Sequence, residues 1–235
     1  MATMFFGQYL LAKGVIDRDA LLDALDRQRR SNLSLPDLAV QEGLIERSRA
    51  EAIMAQYRMS DDPIEDILAS SGGLDADQIR RLQSKQRSSW LRIGAALVEG
   101  GYMSDEAIAA NLEDYRSLES AADEEIREAM RHLPNADAVG ACVELTMFHF
   151  GRVSGRPTKL GSITREPDQP AAGRQRFSQR IVGDGDYTIA LDLPPVLISG
   201  VARGFLGLVV DAGTEAGADA VWGVIIVMGG CAWAR

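Results

Sequence analysis

A chain of 235 residues with 46% hydrophobic content and a net charge of −9 has room for one or two folded domains. The acidic balance excludes a broad nucleic-acid-binding face, because a phosphate backbone needs a basic one. Two cysteines (Cys142 and Cys231) and two isolated histidines (His132 and His149) are too few and too scattered for a disulfide framework or a metal cluster.

In chain order, the first half is organised by Gly14, Gly43, Gly72 and Gly101, each 29 residues after the last. Neighbouring columns keep the same register. Three residues after each glycine stand Asp17, Glu46, Asp75 and Ser104. Eleven after come Leu25, Met54, Gln83 and Leu112, and fourteen after come Gln28, Tyr57, Gln86 and Tyr115. The next column is Arg29, Arg58, Arg87 and Arg116. A fixed period of this size predicts stacked repeats. Each unit reads as a short helix, a glycine just past its end, an acidic or hydroxyl cap, and a longer helix with apolar residues four apart, such as Leu21 and Leu25. Asp75-x-x-Gln78 is close to a capping box. Pro36 and Pro63 fall where a first helical turn accepts proline. Met54 and Tyr57 read as core residues. Residues 1–116 are thus predicted to be four helical hairpins, and 117–134 a charged helical connector with a domain boundary near Leu133-Pro134-Asn135.

From residue 135 to 235 the pattern is mixed. Val139, Val143, Met147 and Phe150 share one face of a predicted helix ending at Gly151. Leu160 to Ile163 reads as a strand within a loop-rich stretch. Ile181-Val182 and the alternating run Tyr187 to Leu193, with Tyr187, Ile189, Leu191 and Leu193 inward, flank Gly183-Asp184-Gly185-Asp186 as a hairpin. That turn lacks the spaced carboxylates of a calcium loop. Pro194-Pro195 ends the strand, and a helix follows to Phe205-Leu206-Gly207. The uncharged apolar run Ala220 to Ala234 is shorter than a membrane span and reads as a core element. No basic-then-apolar leader opens the sequence, so a cytoplasmic protein without a membrane span is expected.

Two resemblances sharpen these expectations. Phe6-Gly7, Leu10, Gly14, Leu21, Leu25 and Gln28, and again Arg92-Ile93-Gly94, Leu97, Gly101, Ile108 and Leu112, follow the spacing of an R-L-G motif with closing leucines and glutamine. In this pattern Phe5, Ser34 and Pro63 stand at the opening arginine position, which only Arg92 fills, and Tyr57 and Tyr115 replace two closing glutamines. This resembles the MshEN or GspE N-terminal domain of type II secretion and pilus assembly ATPases, in which two tandem motifs can bind cyclic di-GMP. The resemblance implies a cyclic di-GMP ligand set of Gln86, Arg87, Arg92, Gly94, Leu97, Gly101 and Arg116, with Gln28 on the first pair, and places the best-equipped pair on repeats three and four. The arginine column alone supports either a helix-end role at the dipole's negative end or phosphate binding.

The layout of the second half is similar to the CheC/CheX class of chemotaxis phosphatases. That resemblance implies catalytic residues on a later helix, where Asp219-Ala220-Val221 would open the motif. Gly223 and Ile226 stand at the family's glutamate and asparagine positions, so no catalytic residue is expected. Glu144 lacks a polar partner at the family spacing and reads as a surface residue. The expected fold class is therefore multidomain, an all-α repeat domain followed by a small α+β CheX-like domain. The expected function is that of a non-catalytic bacterial signalling adaptor without a cofactor or metal. Its repeats would bind a protein partner or cyclic di-GMP, and its second domain would serve docking or dimerisation. The alternatives are a response-regulator phosphatase and a structural partner of a secretion or pilus motor.

Overall fold

The computed structural model describes residues 4–60, 62–133, 136–154, 157–161, 163, 173–182, 186–206 and 221. Among the described residues it is mostly helical, with ten helices and one two-stranded antiparallel sheet. Two compact units, Met1–Glu124 and Glu125–Arg235, divide the chain.

Short and long helices alternate through the first unit. They are α1 (Phe6–Ala12) and α2 (Arg18–Ser31), α3 (Leu35–Gln41) and α4 (Arg47–Met59), α5 (Ile64–Ser70) and α6 (Ala76–Ser89), and α7 (Ile93–Glu99) and α8 (Asp105–Arg131). Short helices start 29 residues apart, and so do long ones. The column after the glycines supplies the caps: Asp17 accepts from Ala20 N at 2.8 Å, and Ser104 from Ala107 N at 3.2 Å. Asp75 and Gln78 exchange 2.8 and 2.9 Å bonds as a capping box. Glu46 sits at the same place without a side-chain cap bond. On α2 the buried stripe is Ala20, Leu21 and Ala24, while Leu25, expected inward, is 41% exposed.

The turn between helices shows why glycine recurs. Gly14, Gly43 and Gly101 have φ of 71°, 68° and 73°, the left-handed region that side chains avoid. In the third unit the left-handed residue is Gly73, one place later than the ladder predicts. Gly72 there needs to be small for another reason: a Cβ would lie 2.4 Å from the Leu68 carbonyl oxygen.

The pairing of repeats differs from the expected tandem pairs. Repeat one packs on repeat four, around Tyr9, Leu10, Leu21, Ala24, Leu97 and Tyr115. Repeat two packs on repeat three, around Leu38, Ile53, Ile67, Leu68, Ile79 and Leu82. Met54 is half-buried, and Tyr57 packs at the edge of the second core. Each pair is fastened at two facing positions, the residue before each ladder glycine and the one thirteen after it. Lys13 Nζ pairs with Asp114 at 2.8 Å between repeats one and four. At the same two places in repeats two and three stand Glu42 and Lys85, paired with the signs reversed. The reciprocal position in that pair joins Ser71 Oγ to Gln56 Oε1 at 2.8 Å. Pairing one with three would oppose Lys13 to Lys85, and two with four would oppose Glu42 to Asp114; like charges disfavour both.

The connector expected over 117–134 is not a separate element as far as Arg131, because α8 runs unbroken for 27 residues. The division between compact units falls within that helix, ahead of the predicted boundary.

The second unit holds α9 (Ala136–Ser154), β1 (Gln175–Val182), β2 (Asp186–Leu193) and α10 (Pro195–Leu206). Gln175 faces Leu193 and Val182 faces Asp186, so the hairpin is antiparallel and in the expected register. Leu193 is buried and Leu191 half-buried against the core; the side chains of Tyr187 and Ile189 lie outside the described residues. The core joins Phe150 and Val153 of α9, Phe177 of β1, Ile198 and Val201 of α10, and Val221. Helix α9 continues past Gly151, which lets Val153 join that core while Val139, Val143 and Met147 stay half-buried. Leu160 to Ile163 carries no strand among its described residues. Arg176 and Asp192, opposite each other in the sheet, form a two-bond pair at 2.8 Å each. The turn 183–185, Asp219, Ala220, Gly223, Ile226 and Cys231 lie outside the described residues.

Candidate functional site

The expected ligand residues do not converge as one polar set. Gln28 Nε2 donates to the Leu91 carbonyl at 2.9 Å, and Gln86 Nε2 donates to the Leu33 carbonyl at 2.9 Å. Tyr115, at the same column, donates its hydroxyl to the Met4 carbonyl at 2.9 Å. Met4, Leu33 and Leu91 occupy equivalent places two residues ahead of a short helix. The fourteenth-position column therefore reaches across to the partner repeat, and a tyrosine hydroxyl replaces a glutamine amide because either can donate to a carbonyl. In the first pair the bond is reciprocal, one-to-four through Gln28 and four-to-one through Tyr115.

Gly94 is buried, and a Cβ there would meet Ile108 Cγ2 at 2.9 Å. Its smallness serves the approach of α8, as Gly7 serves Leu21 Cδ1 at 2.7 Å from the same virtual atom. Leu97 is fully buried in the first core, and Gly101 makes the left-handed turn. Arg87, Arg92 and Arg116 are exposed, and Arg92 is the residue before α7 without a capping bond. Arg29 is exposed beside Asp26, at 3.3 Å. The structure thus divides the expected set: Arg92, Gly94 and Leu97 belong with repeat one, Gln86 with repeat two. In the second unit, Glu144 is exposed, and Cys142 is a free, half-buried thiol.

A cavity of about 660 Å³ opens where the ends of α2 and α6 meet the link into α7. Arg27, Arg30 and Ser31 line one side, Ser88, Ser89, Trp90 and Leu91 the other, and Glu99 closes a rim. The link is clamped to α2 by its backbone. Asn32 Nδ2 donates to Leu91 O at 2.9 Å, and Leu91 N donates to Asn32 Oδ1 at 2.7 Å. Ser31 Oγ donates to Ser89 O at 3.0 Å. Behind this wall, Arg27 Nε and the Tyr102 hydroxyl both donate to Asp23 Oδ2, at 2.6 and 3.2 Å. The Arg27 guanidinium holds the Asp23 carboxyl below the usual aspartate range, and the carboxylate raises Arg27 in turn. Partial desolvation, then the Asp23 hydrogen bond, pushes the Tyr102 phenol up.

This cavity is not legible in the sequence because its residues come from the ends of α2, α6 and α7, which only the fold brings together. One signal was available: Trp90 is a large apolar residue in an otherwise polar link, Ser88-Ser89-Trp90.

Among the described residues, no three histidine, cysteine or acidic side chains could hold a metal ion, and no helix is long and apolar enough to cross a membrane. The chain matches no family model, no curated protein and no solved structure.

Proposed function

We propose that this protein is a non-catalytic cytoplasmic signalling adaptor. In this reading the first unit is a MshEN-like array of four hairpins that engages a protein partner of a motility or secretion pathway. The second is a CheX-like α+β domain that serves docking or dimerisation. The observation that carries it is the inward use of the glutamine–tyrosine column. Gln28 and Gln86 each donate an amide N–H, and Tyr115 its hydroxyl, to a partner-repeat carbonyl, so this column fastens the scaffold. The charge points the same way: residues up to Glu124 contain 22 acidic and 14 basic side chains, which favours a partner with a basic face. The CheX-like reading includes no phosphatase activity, since Gly223 and Ile226 offer neither a carboxylate nor an amide to position an attacking water.

Cyclic di-GMP binding is the second reading, favoured by the exposure of Arg87, Arg92 and Arg116. Titration of the purified chain and its Arg92→Ala variant with cyclic di-GMP, beside an assay of acyl-phosphate decay on a phosphorylated response regulator, tests both. The adaptor reading expects no binding that depends on Arg92 and an unchanged decay rate. Binding lost in Arg92→Ala favours the nucleotide reading, and accelerated decay overturns the non-catalytic one.

A further inference from the structure

Trp90 is held in an unusual way. Its two chain neighbours are fixed to the end of α2 by four hydrogen bonds, from Gln28, Ser31 and Asn32 and back to Asn32, all between 2.7 and 3.0 Å. The indole itself is 55% exposed and lines the cavity. Large aromatic side chains gain by burial, yet this one stays more than half exposed on an anchored stretch of backbone. It offers a flat aromatic surface to an open space.

The surroundings define what would lie on it. Arg30 is 68% exposed and pairs with Asp26 at 3.0 Å on the same helix face. Such a surface pair yields readily to a competing anion. Arg27 is tied to Asp23 through Nε alone, so its two terminal nitrogens carry further donors. The hydroxyls of Ser31, Ser88 and Ser89 already donate to backbone carbonyls, which leaves their oxygens as acceptors. Glu99 adds one anionic acceptor at the rim. A volume of about 660 Å³ lies within the range of small-molecule sites.

We propose that this cavity binds a small planar aromatic anion, with the ring stacked on Trp90 and the anionic group between Arg27 and Arg30. Ring donors, where present, face Glu99 and the serine oxygens. A nucleoside monophosphate and an aromatic carboxylate share this chemistry. Arg92 is not among the residues that line this cavity, and the proposal stands whether or not the protein is an adaptor.

The test uses the full chain and two probes, adenosine monophosphate and 4-hydroxybenzoate, followed by calorimetry and tryptophan fluorescence. Saturable binding of at least one probe with a submillimolar Kd is expected, and which probe binds identifies the source. Arg30→Ala should weaken it about tenfold, as should Trp90→Ala. Trp90→Phe should keep a weaker complex while losing the fluorescence change, since Trp222 and Trp233 remain. Arg92→Ala should leave the affinity unaltered, and uncharged adenosine should bind at least tenfold more weakly than its monophosphate. Failure of both probes to bind overturns the proposal, and so does binding that Trp90→Ala and Arg30→Ala leave intact in folded variants, judged by circular dichroism.

Discussion

Repeats one and four meet across three repeat lengths of chain, whereas repeats two and three are sequence neighbours. Tripling the chain closed by a contact adds about 1 kcal/mol of closure entropy. The distant pair is correspondingly better fastened. It has the Leu91 clamp, the Lys13 bridge and an aromatic cluster in which Phe6 and Tyr9 lie 5.3 and 5.5 Å from the Tyr115 ring. The neighbouring pair uses a largely aliphatic core with the Gln86 bond, the reversed Glu42–Lys85 bridge and a Ser71–Gln56 bond of 2.8 Å. One repeated unit is thus adapted to two closure lengths by side chains at its edges, while its core columns stay alike.

The comparison is broken most strongly from the core. Leu97 and Leu68 are each fully buried at equivalent places in the two pairs. Truncation of either to alanine should cost about 2–5 kcal/mol in urea unfolding. Hydrogen exchange should accelerate first within the pair that carries the change. Uniform acceleration through both pairs would show that they open as one body.

Asn32→Ala removes both side-chain bonds to Leu91 and leaves a half-buried N–H without that partner. A loss of about 1–3 kcal/mol is expected, read by urea unfolding, with faster exchange in α2 and α7. Gln86→Ala removes a single bond in the other pair, and about 1 kcal/mol is expected. Equal losses would remove the distinction between a clamped and an unclamped pair.

The turns sharpen it further. Gly43→Ala places a Cβ in open space at φ 68° and should cost about 1 kcal/mol from the left-handed backbone alone. Gly72→Ala meets the Leu68 carbonyl and should cost more, although its φ is not left-handed. Thermal unfolding of the two variants checks the ranking.

The smallest effects are electrostatic. Lys13→Glu should lower the melting temperature by opposing Asp114, and Lys13→Glu with Asp114→Lys should restore it, copying the signs found at Glu42 and Lys85. The difference should fade in 1 M salt, where screening reaches within about 3 Å. Asp23 adds a pH dependence. Its folded-state pKa is depressed by Arg27, so its contribution is present above the ordinary aspartate range and is lost as pH falls through the folded value. Asp23→Asn should flatten the acid side of the stability curve and leave the alkaline side alone.

The helices, caps and left-handed turns of the first unit were legible because each depends on residues a few places apart. Partner choice was not, because the repeats carry similar apolar columns and more than one pairing could bury them. Lys13, Glu42, Lys85 and Asp114 disfavour pairing one with three and two with four, and their signs matter only once they are known to face one another. The same limit applies to Gln28 and Gln86. Their spacing is visible, but whether an amide faces a ligand or a carbonyl 63 or 53 residues away is a tertiary fact. Gly73 took the turn that the period assigns to Gly72, because two adjacent glycines both permit it. In the second unit the hairpin alternation was readable, whereas the strand expected at Leu160 rested on a short apolar run without a paired neighbour.

The bond from the Tyr115 hydroxyl to the Met4 carbonyl spans 111 residues, so the two extremities of the four-hairpin segment touch. Topologically that segment is a closed ring with one seam. A ring can be cut elsewhere and sealed at its seam, so a circular permutant linking residue 116 to residue 4 and opened between α4 and α5 should retain both cores. Such a cut exchanges the roles of the pairs. Repeats two and three would become the distant partners, held without a Leu91 clamp, and repeats one and four the neighbours with fastenings beyond what their new separation requires.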